Sequence, residues 1–395
     1  MEKKTVRDID VSGKRVLVRV DFNVPIDENT GEIMDDSRIQ ASLPTIQYLI
    51  NHRARVVICS HLGRPKGKPE PRYSLKQVVP RVAGMLGKPV TFTADCIGLE
   101  TERAISNMKD GEVILLENVR FHPEEEKGDD AFARALSQLA DIYVDDAFGT
   151  AHRNHVSIVG ITRYLPAVAG LLLEKELATL GGLLKSPRHP FGTLLGGAKV
   201  SDKVALMENI LDKVDFLLVG GGMAATFLKA KGYEIGMSLF EEDRLSIATS
   251  LMNRVAGNGV NLLLPVDAIV TDEVSDKGTC QVVSIESIPA DRKIVDIGPK
   301  TIEKFGFELR KCKVVFWNGP MGVYEIPQFA RGTETMARLL ANIKASTIIG
   351  GGSTAELVIN MGLAGKMTFV STGGGASMSY LGGEKLPGVE VLLNK

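Results

Sequence analysis

The sequence predicts an α/β protein of two lobes, each a parallel sheet flanked by helices, joined by a connecting helix. Three observations predict it: two successive series of short apolar runs with helical stretches between them, a difference in how the runs of each series end, and one apolar-periodic helical stretch where the series meet. The chain has 395 residues, 44% hydrophobic and 24% charged. That is globular composition, and at roughly 150 residues per domain it suits two or three domains rather than one core.

In the first series RVLVRV runs into Asp21-Phe22-Asn23, and RVVICS into His61-Leu62-Gly63-Arg64. EVILLEN then leads to Val119-Arg120, and DIYVDD to the segment Ala147 to Arg153. Each run delivers polar groups just past its carboxyl end. In the second series TLLGGAK (193–199), FLLVGGG (216–222), VVFWNGP (314–320), TIIGGGST (347–354) and FVSTGGG (369–375) end in glycine instead. Between them Leu171 to Lys185 carries apolar residues at helical spacing with Glu174, Lys175 and Glu176, which predicts one helix with a hinge at either end. This is a three-layer, Rossmann-like plan in which ligands lie outside the carboxyl ends of the strands. Each lobe is expected to carry one such site, the first lined by Arg, His and Asn, the second by glycine backbone.

Charge excludes one class of partner. Lys plus Arg is 47 against 48 Asp plus Glu, and residues 1–170 hold 23 against 24, so neither half has the basic excess of a nucleic-acid binder. Cys59, Cys96, Cys280 and Cys312 are far apart and form no CxxC pair, which predicts reduced thiols, neither a zinc knuckle nor a disulfide framework. No run approaches the roughly 18 apolar residues of a membrane span, and MEKKTVRDID has no apolar core behind it, so a cytoplasmic protein is expected.

Arg38, Arg64, Arg120 and Arg153 follow strands or open helices, with His61, His152 and His155 in the same exits. Convergent guanidinium forks suit a ligand carrying both phosphate and carboxylate. Arg38 follows the N-cap run Asp35-Asp36-Ser37, in a first helical turn where the dipole disfavours a cation and a bound anion would reverse the penalty. His152 and His155 lack acidic or Cys companions at zinc spacing.

In the second half Gly350 to Thr354 and Gly373 to Gly375 precede helical stretches, the arrangement in which backbone amides and a helix terminus receive phosphate. Lys199 and Lys203, four apart, would share one face if helical. No GxxxxGK[ST] occurs. Gly220 to Ala225 and Gly350 to Ala355 match GxGxxA, but no acidic residue closes a following strand at the ribose distance.

The strings RVDFNVP, SHLGRP, LLENVRF, DDAFGTAHR, GGAKVSDK, FLLVGGGMAATFLKAKG, DIGPKT, VFWNGPMGVYE, GGGSTA and VSTGGGAS resemble, in order and from end to end, those of the phosphoglycerate kinases. The resemblance implies a monomer that exchanges a phosphoryl group between 1,3-bisphosphoglycerate and ADP, with magnesium, in glycolysis. It divides the chain into a 3-phosphoglycerate domain at 1–170, a connecting helix and hinge at 171–186, a nucleotide domain at 187–375, and a segment 376–395 returning to the N-terminal domain. It makes Asp21, Phe22, Asn23, Arg38, His61, Leu62, Gly63, Arg64, Arg120 and Arg153 the 3-phosphoglycerate site. For ATP or ADP it implies Lys199 and Lys203 at the phosphates, Asn318 and Glu325 at the ribose, Gly351, Gly352, Ser353 and Thr354 at a helix end, and Gly220, Gly221 and Ile294 around the adenine. Arg38, Lys199 and Lys203 are the catalytic candidates.

The chain departs from the family at two places. Ser353 stands where members commonly carry an Asp that helps hold magnesium, which leaves the metal to the nucleotide, to water, to Ser353 itself or to Asp202. Arg292-Lys293-Ile294 stands where the family often reads Trp-x-Gly, which reshapes the adenine wall. Two other readings compete: a nucleotide-dependent dehydrogenase, from the GxGxxA matches, and a two-lobed protein that closes on an anion without chemistry.

Overall fold

A computed structural model describes residues 2–395. The chain divides into two compact units, one running to Ala178 and including Lys385–Lys395, the other Thr179–Glu384. The division falls inside the connecting helix, Leu171–Lys185.

The first unit holds β1 (Arg15–Arg19), β2 (Arg55–Cys59), β3 (Thr91–Phe92), β4 (Val113–Leu115), β5 (Ile142–Asp145) and β6 (Ala167–Ala169). They form one sheet ordered β3-β4-β2-β1-β5-β6, parallel at every pairing. Val16 of β1 lies level with Val56 of β2 and Ile142 of β5. Val16 and Val18 share a core with Ile39, Ile46 and Leu49 of the helix Ser37–Asn51, while Leu17, on the other face by strand alternation, is also buried. Helices cover both faces, which is why these strands read as unbroken apolar runs.

The second unit holds β7 (Phe191–Leu195), β8 (Phe216–Val219), β9 (Asn261–Leu263), β10 (Asp267–Thr271), β11 (Cys280–Ser284), β12 (Lys293–Ile297), β13 (Val314–Asn318), β14 (Ser346–Gly350) and β15 (Phe369–Val370). Six of them make a second parallel sheet, ordered β15-β14-β13-β7-β8-β9. The antiparallel β11-β10-β12 sheet was not legible in the sequence. Its edge strand β11 is exposed at every residue but Val283, so it has no apolar run to read.

The order of the second sheet reverses once, between β7 and β13; that of the first turns back at β4, which lies between β3 and β2, and reverses again between β1 and β5, where it matches the second. In open α/β sheets that reversal opens a crevice at the carboxyl ends of the two strands. The residues placed there are Val20 and Asp21 beside Asp146 in the first unit, and Gly196 and Gly197 beside Gly319 and Pro320 in the second.

The C-terminal stretch splits between the units. Residues 385–395 pack on the first, where Lys4 N donates to Leu393 O at 2.7 Å and Gly388 N to Ala151 O at 2.8 Å. Residues 376–384 stay with the second, where the Asn209 amide donates to Leu381 O at 2.8 Å.

The connecting helix begins on side chains of the first unit. Leu172 N and Leu173 N donate to Asp146 Oδ1 at 2.9 and 3.2 Å, and Leu171 N donates to Thr45 Oγ1 at 2.9 Å. Gly170 makes room, since a Cβ there would lie 2.1 Å from Asp146 Oδ1. Asp146 is fully buried, and burial pushes its carboxyl up to about 7. The folded state therefore keeps a proton that the unfolded chain, with a carboxyl near about 3.9, has released. Its contribution is greatest below that unfolded value and is lost as pH rises to about 7. Asp146→Ala is expected to cost about 1–2 kcal/mol by uncapping the helix. Asp146→Asn should flatten the fall of stability between pH 4 and 7, roughly the two carboxyl values. Urea unfolding across that range checks both, and an unchanged slope in Asp146→Asn would contradict the assignment.

Candidate active site

At the β1 exit the apolar run ends in a fully buried guanidinium, Arg19. Its Nε donates to Ser157 Oγ at 2.8 Å, one terminal nitrogen donates to Val20 O, and the other lies 3.1 Å from His61 Nδ1. Ser157 Oγ donates in turn to the buried Glu125 at 2.6 Å, so one hydroxyl bridges two charges taken out of water. A guanidinium only donates, so His61 Nδ1 accepts and the ring proton sits on Nε2. Burial, reinforced by Arg19, Arg120 and Arg38, holds His61 well below the ordinary imidazole value. The ring is thereby a neutral donor beside a cationic cluster.

Around it, Arg38 donates to Asp21, whose Oδ1 lies 4.0 Å from His61 Nδ1. Asn23 Oδ1 accepts from Gly63 N at 2.7 Å, which leaves its amide N–H groups for a ligand. Arg120 donates to Gly63 O at 2.9 Å and stands 3.4 Å from Glu126; burial first, then Arg19, lowers its guanidinium to about 10. Gly63 has φ +61°, and a Cβ would meet the Tyr73 ring at 2.3 Å, so only glycine permits this turn. Arg64 is exposed and Arg153 half-buried, and among the described residues neither side chain has a hydrogen bond or ion pair. Phe22 and Leu62 turn their side chains into the core, so what they offer this edge is backbone. Arg19, Ser157 and Glu125 were missed by sequence reasoning; the one available signal was an arginine inside an otherwise apolar strand.

Arg38 does lie in the first turn of the helix Ser37–Asn51, but the expected cap is different. Asp36 makes no capping bond, being paired with Arg81 and Gln40, and Asp35 instead accepts from Ser37 N at 2.9 Å. Asp21 already offsets the charge of Arg38, so that guanidinium is held rather than waiting unpaired.

In the second unit three glycine exits interlock. Gly197 N donates to Pro320 O at 2.8 Å, Gly196 N to Asn318 O at 2.9 Å, and Gly221 N to Met321 O at 3.0 Å. A Cβ on Gly319 would stand 2.3 Å from Gly196 O, and one on Gly221 would stand 2.6 Å from Gly197 N. The loops thus approach as closely as bare backbone permits. They border a cavity of about 490 Å³. Gly221, Ile294, Glu325 and Ser353 line it, with Leu239, Pro320 and Met321 among the residues the sequence did not single out. Ile294 is set in its wall by a bond from its N–H to Ser238 Oγ at 2.9 Å, and Arg292 turns away to Thr279 at 2.8 Å.

Other expected members lie beside the cavity rather than on its wall. Lys203 donates to Asn318 Oδ1, and burial lowers its ammonium to about 8, partly offset by Asp202. Asn318 is buried, as is Thr354, whose hydroxyl accepts from Gly319 N at 2.7 Å. Gly220 is packed against Met321. Gly351, at φ +90°, begins the helix Gly352–Asn360, and both Gly352 and Ser353 are exposed. Lys199 is exposed too. Lys199 and Lys203 do not share a helical face, because the helix starts only at Val204, after both.

An arginine-lined edge on one sheet and a cavity bordered by close-packed glycine loops on the other are those of an α/β protein with two surfaces suited to anionic ligands. A family model described as phosphoglycerate kinase matches residues 6–384. The chain is 54% identical over 395 residues to the phosphoglycerate kinase of Pelotomaculum thermopropionicum, covering 100% of both chains. It is 53% identical over 397 residues to that of Chloroflexus aurantiacus, covering 99% of each. Among solved structures, phosphoglycerate kinase from Coxiella burnetii superimposes with a TM-score of 0.86 at 40% identity, and that from Pyrococcus horikoshii with 0.85 at 33%, each covering 98% of both chains. The chain belongs to the phosphoglycerate kinase family. The reaction of that family is reversible phosphoryl transfer between 1,3-bisphosphoglycerate and ADP, giving 3-phosphoglycerate and ATP in glycolysis. The dehydrogenase and non-catalytic readings fall with that membership.

The geometry around His61 has a direct spectroscopic consequence. Its imidazole resonances should show no protonation across the range where a free ring titrates, about pH 6.5. A proton NMR titration checks this, and a midpoint near the free value would contradict the burial and the Arg19 contact.

Proposed function

We propose that 3-phosphoglycerate binds at the carboxyl edge of the first sheet, on the side chains of Asp21, Asn23, Arg38, His61, Arg64, Arg120 and Arg153 and the backbone of Phe22, Leu62 and Gly63. The nucleotide lies in the second unit's cavity. The observation that carries this reading is a contrast among the arginines: the side chains of Arg64 and Arg153 have no partner among the described residues, whereas Arg19, Arg38 and Arg120 are held in place. Fixed cations frame the position, and the two free forks are left for the ligand's anionic groups. Lys203, its ammonium already stripped of water, gains most from a phosphate arriving beside it, with Lys199 free to reach the same group. Gly220 and Gly221 let the loop run close to the base, Ile294 walls it, and Glu325 at the cavity mouth suits the ribose with Asn318 behind.

In the ATP-consuming direction a carboxylate oxygen of 3-phosphoglycerate attacks the γ-phosphorus as the bond to the departing ADP oxygen breaks. That carboxylate is ionised at neutral pH, so no general base is needed; the work is alignment and charge stabilisation by Arg38, Lys199 and Lys203. Ligands held on separate units must be brought together by closure about the connecting helix, which also excludes water.

The donor set suits magnesium that travels with the nucleotide. Ser353 offers a hydroxyl and Asp202 an exposed carboxylate, whereas Asp296 in the cavity wall is already committed to Ile297 N and Gly332 N. One or two protein oxygens plus substrate phosphates is the usual magnesium arrangement. When bound, the ion offsets the charge of the phosphates. A monomer working in the cytoplasm completes the proposal, and the buried unpaired thiols Cys59, Cys96 and Cys312 support a reducing compartment. Among the described residues, no helix is long and apolar enough to cross a membrane.

Steady-state kinetics of three alanine variants, with circular dichroism to establish folding, test the assignment. Arg38→Ala is expected to lose about 3 kcal/mol of transition-state stabilisation, roughly a hundredfold in turnover, with a smaller rise in KM. Arg64→Ala and Arg153→Ala should chiefly raise the KM for 3-phosphoglycerate. Near-normal turnover in folded Arg38→Ala would refute its role.

Ser353→Asp restores the carboxylate common in the family, so it should lower the magnesium concentration that gives half-maximal activity. A magnesium titration of both forms decides this, and identical curves would mean the ion is held without position 353.

A further inference from the structure

Sequence spacing indicated no metal site, yet the fold brings together three ligand types far apart in the chain. Asp95 and Cys96 follow β3, and His122 follows the short helical turn Val119–Phe121. One ligand atom from each, a carboxylate oxygen, Sγ and an imidazole nitrogen, lies within 4.8 Å of the other two. We propose that Asp95, Cys96 and His122 form a binding site for a thiophilic divalent cation of the zinc type, on the first unit and distinct from the phosphoryl-transfer site.

The surroundings hold these ligands in place. Asp95 O accepts from Thr93 Oγ1 at 2.8 Å and from Thr101 Oγ1 at 2.9 Å, and Asp95 Oδ1 accepts from Cys96 N at 2.6 Å. The His122 ring stacks on Phe132 with centroids 5.0 Å apart, and its Nε2 already meets Asp95 Oδ1 at 2.7 Å. With zinc bonds of about 2.0–2.3 Å, tetrahedral ligand atoms stand roughly 3.5 Å apart. Side-chain rotations of about an ångström would therefore close the set. Cys96 is fully buried while the Asp95 side chain is 53% exposed, so the ion enters from the Asp95 side and keeps an open position for water there.

The donor types select the ion. A thiolate with an imidazole and one carboxylate suits zinc, and it does not suit magnesium or calcium, which take oxygen cages. On binding, the thiol proton leaves to solvent as the sulfur–metal bond forms, and His122 Nε2, which donates to Asp95 Oδ1 in the metal-free protein, gives up that hydrogen bond and passes its proton to Nδ1 or to solvent, so that its lone pair and the freed carboxylate oxygen both face the ion. Two residues before His122, Arg120 holds Gly63 O, so the bound ion would tie the segment carrying Arg120 to the loop after β3. The predicted consequence is a more stable first unit rather than a new reaction.

Cobalt is the probe, because its visible spectrum reports both tetrahedral geometry and a thiolate bond. The full chain, stripped of metal by chelation and carrying Cys280→Ser to remove the exposed thiol, should take up one equivalent of cobalt. It should gain a thiolate charge-transfer band, and zinc should displace the cobalt. Cys96→Ser should lose that band. His122→Ala and His122→Gln should weaken uptake at least tenfold and abolish the zinc-dependent rise in Tm. Absence of the band, or uptake and Tm shift unchanged in folded His122 variants, would overturn the site.

Discussion

A parallel sheet covered by helices on both faces has one region where polar groups can gather without crossing the core: the carboxyl edge of its strands. Both units are built under that constraint. In the first, Val16, Leu17 and Val18 are fully buried, and the chemistry begins where the strand ends, at Arg19 and Asp21. In the second, the same edge at β7 and β13 is occupied by Gly196, Gly197 and Gly319, whose missing side chains let the loops touch. One architecture thus yields two different surfaces, according to the residues that terminate each apolar run.

On the first edge the difficulty is electrostatic. Like charges brought together out of water are expensive, and the unit meets this unevenly. Arg19 is matched to Glu125 through Ser157, and Arg38 to Asp21, while Arg120 is lowered to about 10 by burial and by its neighbour Arg19. Arg64 and Arg153 are left unmatched, the first at an exposed position and the second at a half-buried one. An anion placed among these cations would relieve the imbalance.

On the second edge the difficulty is steric. These loops can approach one another and Asn318 so closely only where no Cβ intervenes, and Gly221, Gly319 and Gly351 combine that requirement with positive φ. Lys203 supplies charge from the side, and the Thr354 hydroxyl accepts from Gly319 N and so keeps two of the exits together. The connecting helix starts on Asp146 and Thr45, so its first turn is part of the same edge network that ends β5.

The two series of strands, the connecting helix and the contrast between an arginine edge and a glycine edge were all legible in the sequence, because each depends on local period and on the residues directly after an apolar run. Family strings then assigned most of the candidate site. What they did not reveal depends on distant residues meeting. The Arg19–Ser157–Glu125 bridge joins β1 to segments more than a hundred residues away, and the edge strand of the antiparallel sheet exposes too much surface to show a pattern. Lys199 and Lys203 are four residues apart, as one helical face requires, yet the helix begins after them. Asp95, Cys96 and His122 have no spacing that suggests a site at all. Local sequence determined which groups each edge presents; only tertiary structure decided which of them pair and which stay free, because charge compensation and close backbone approach act through space and not along the chain.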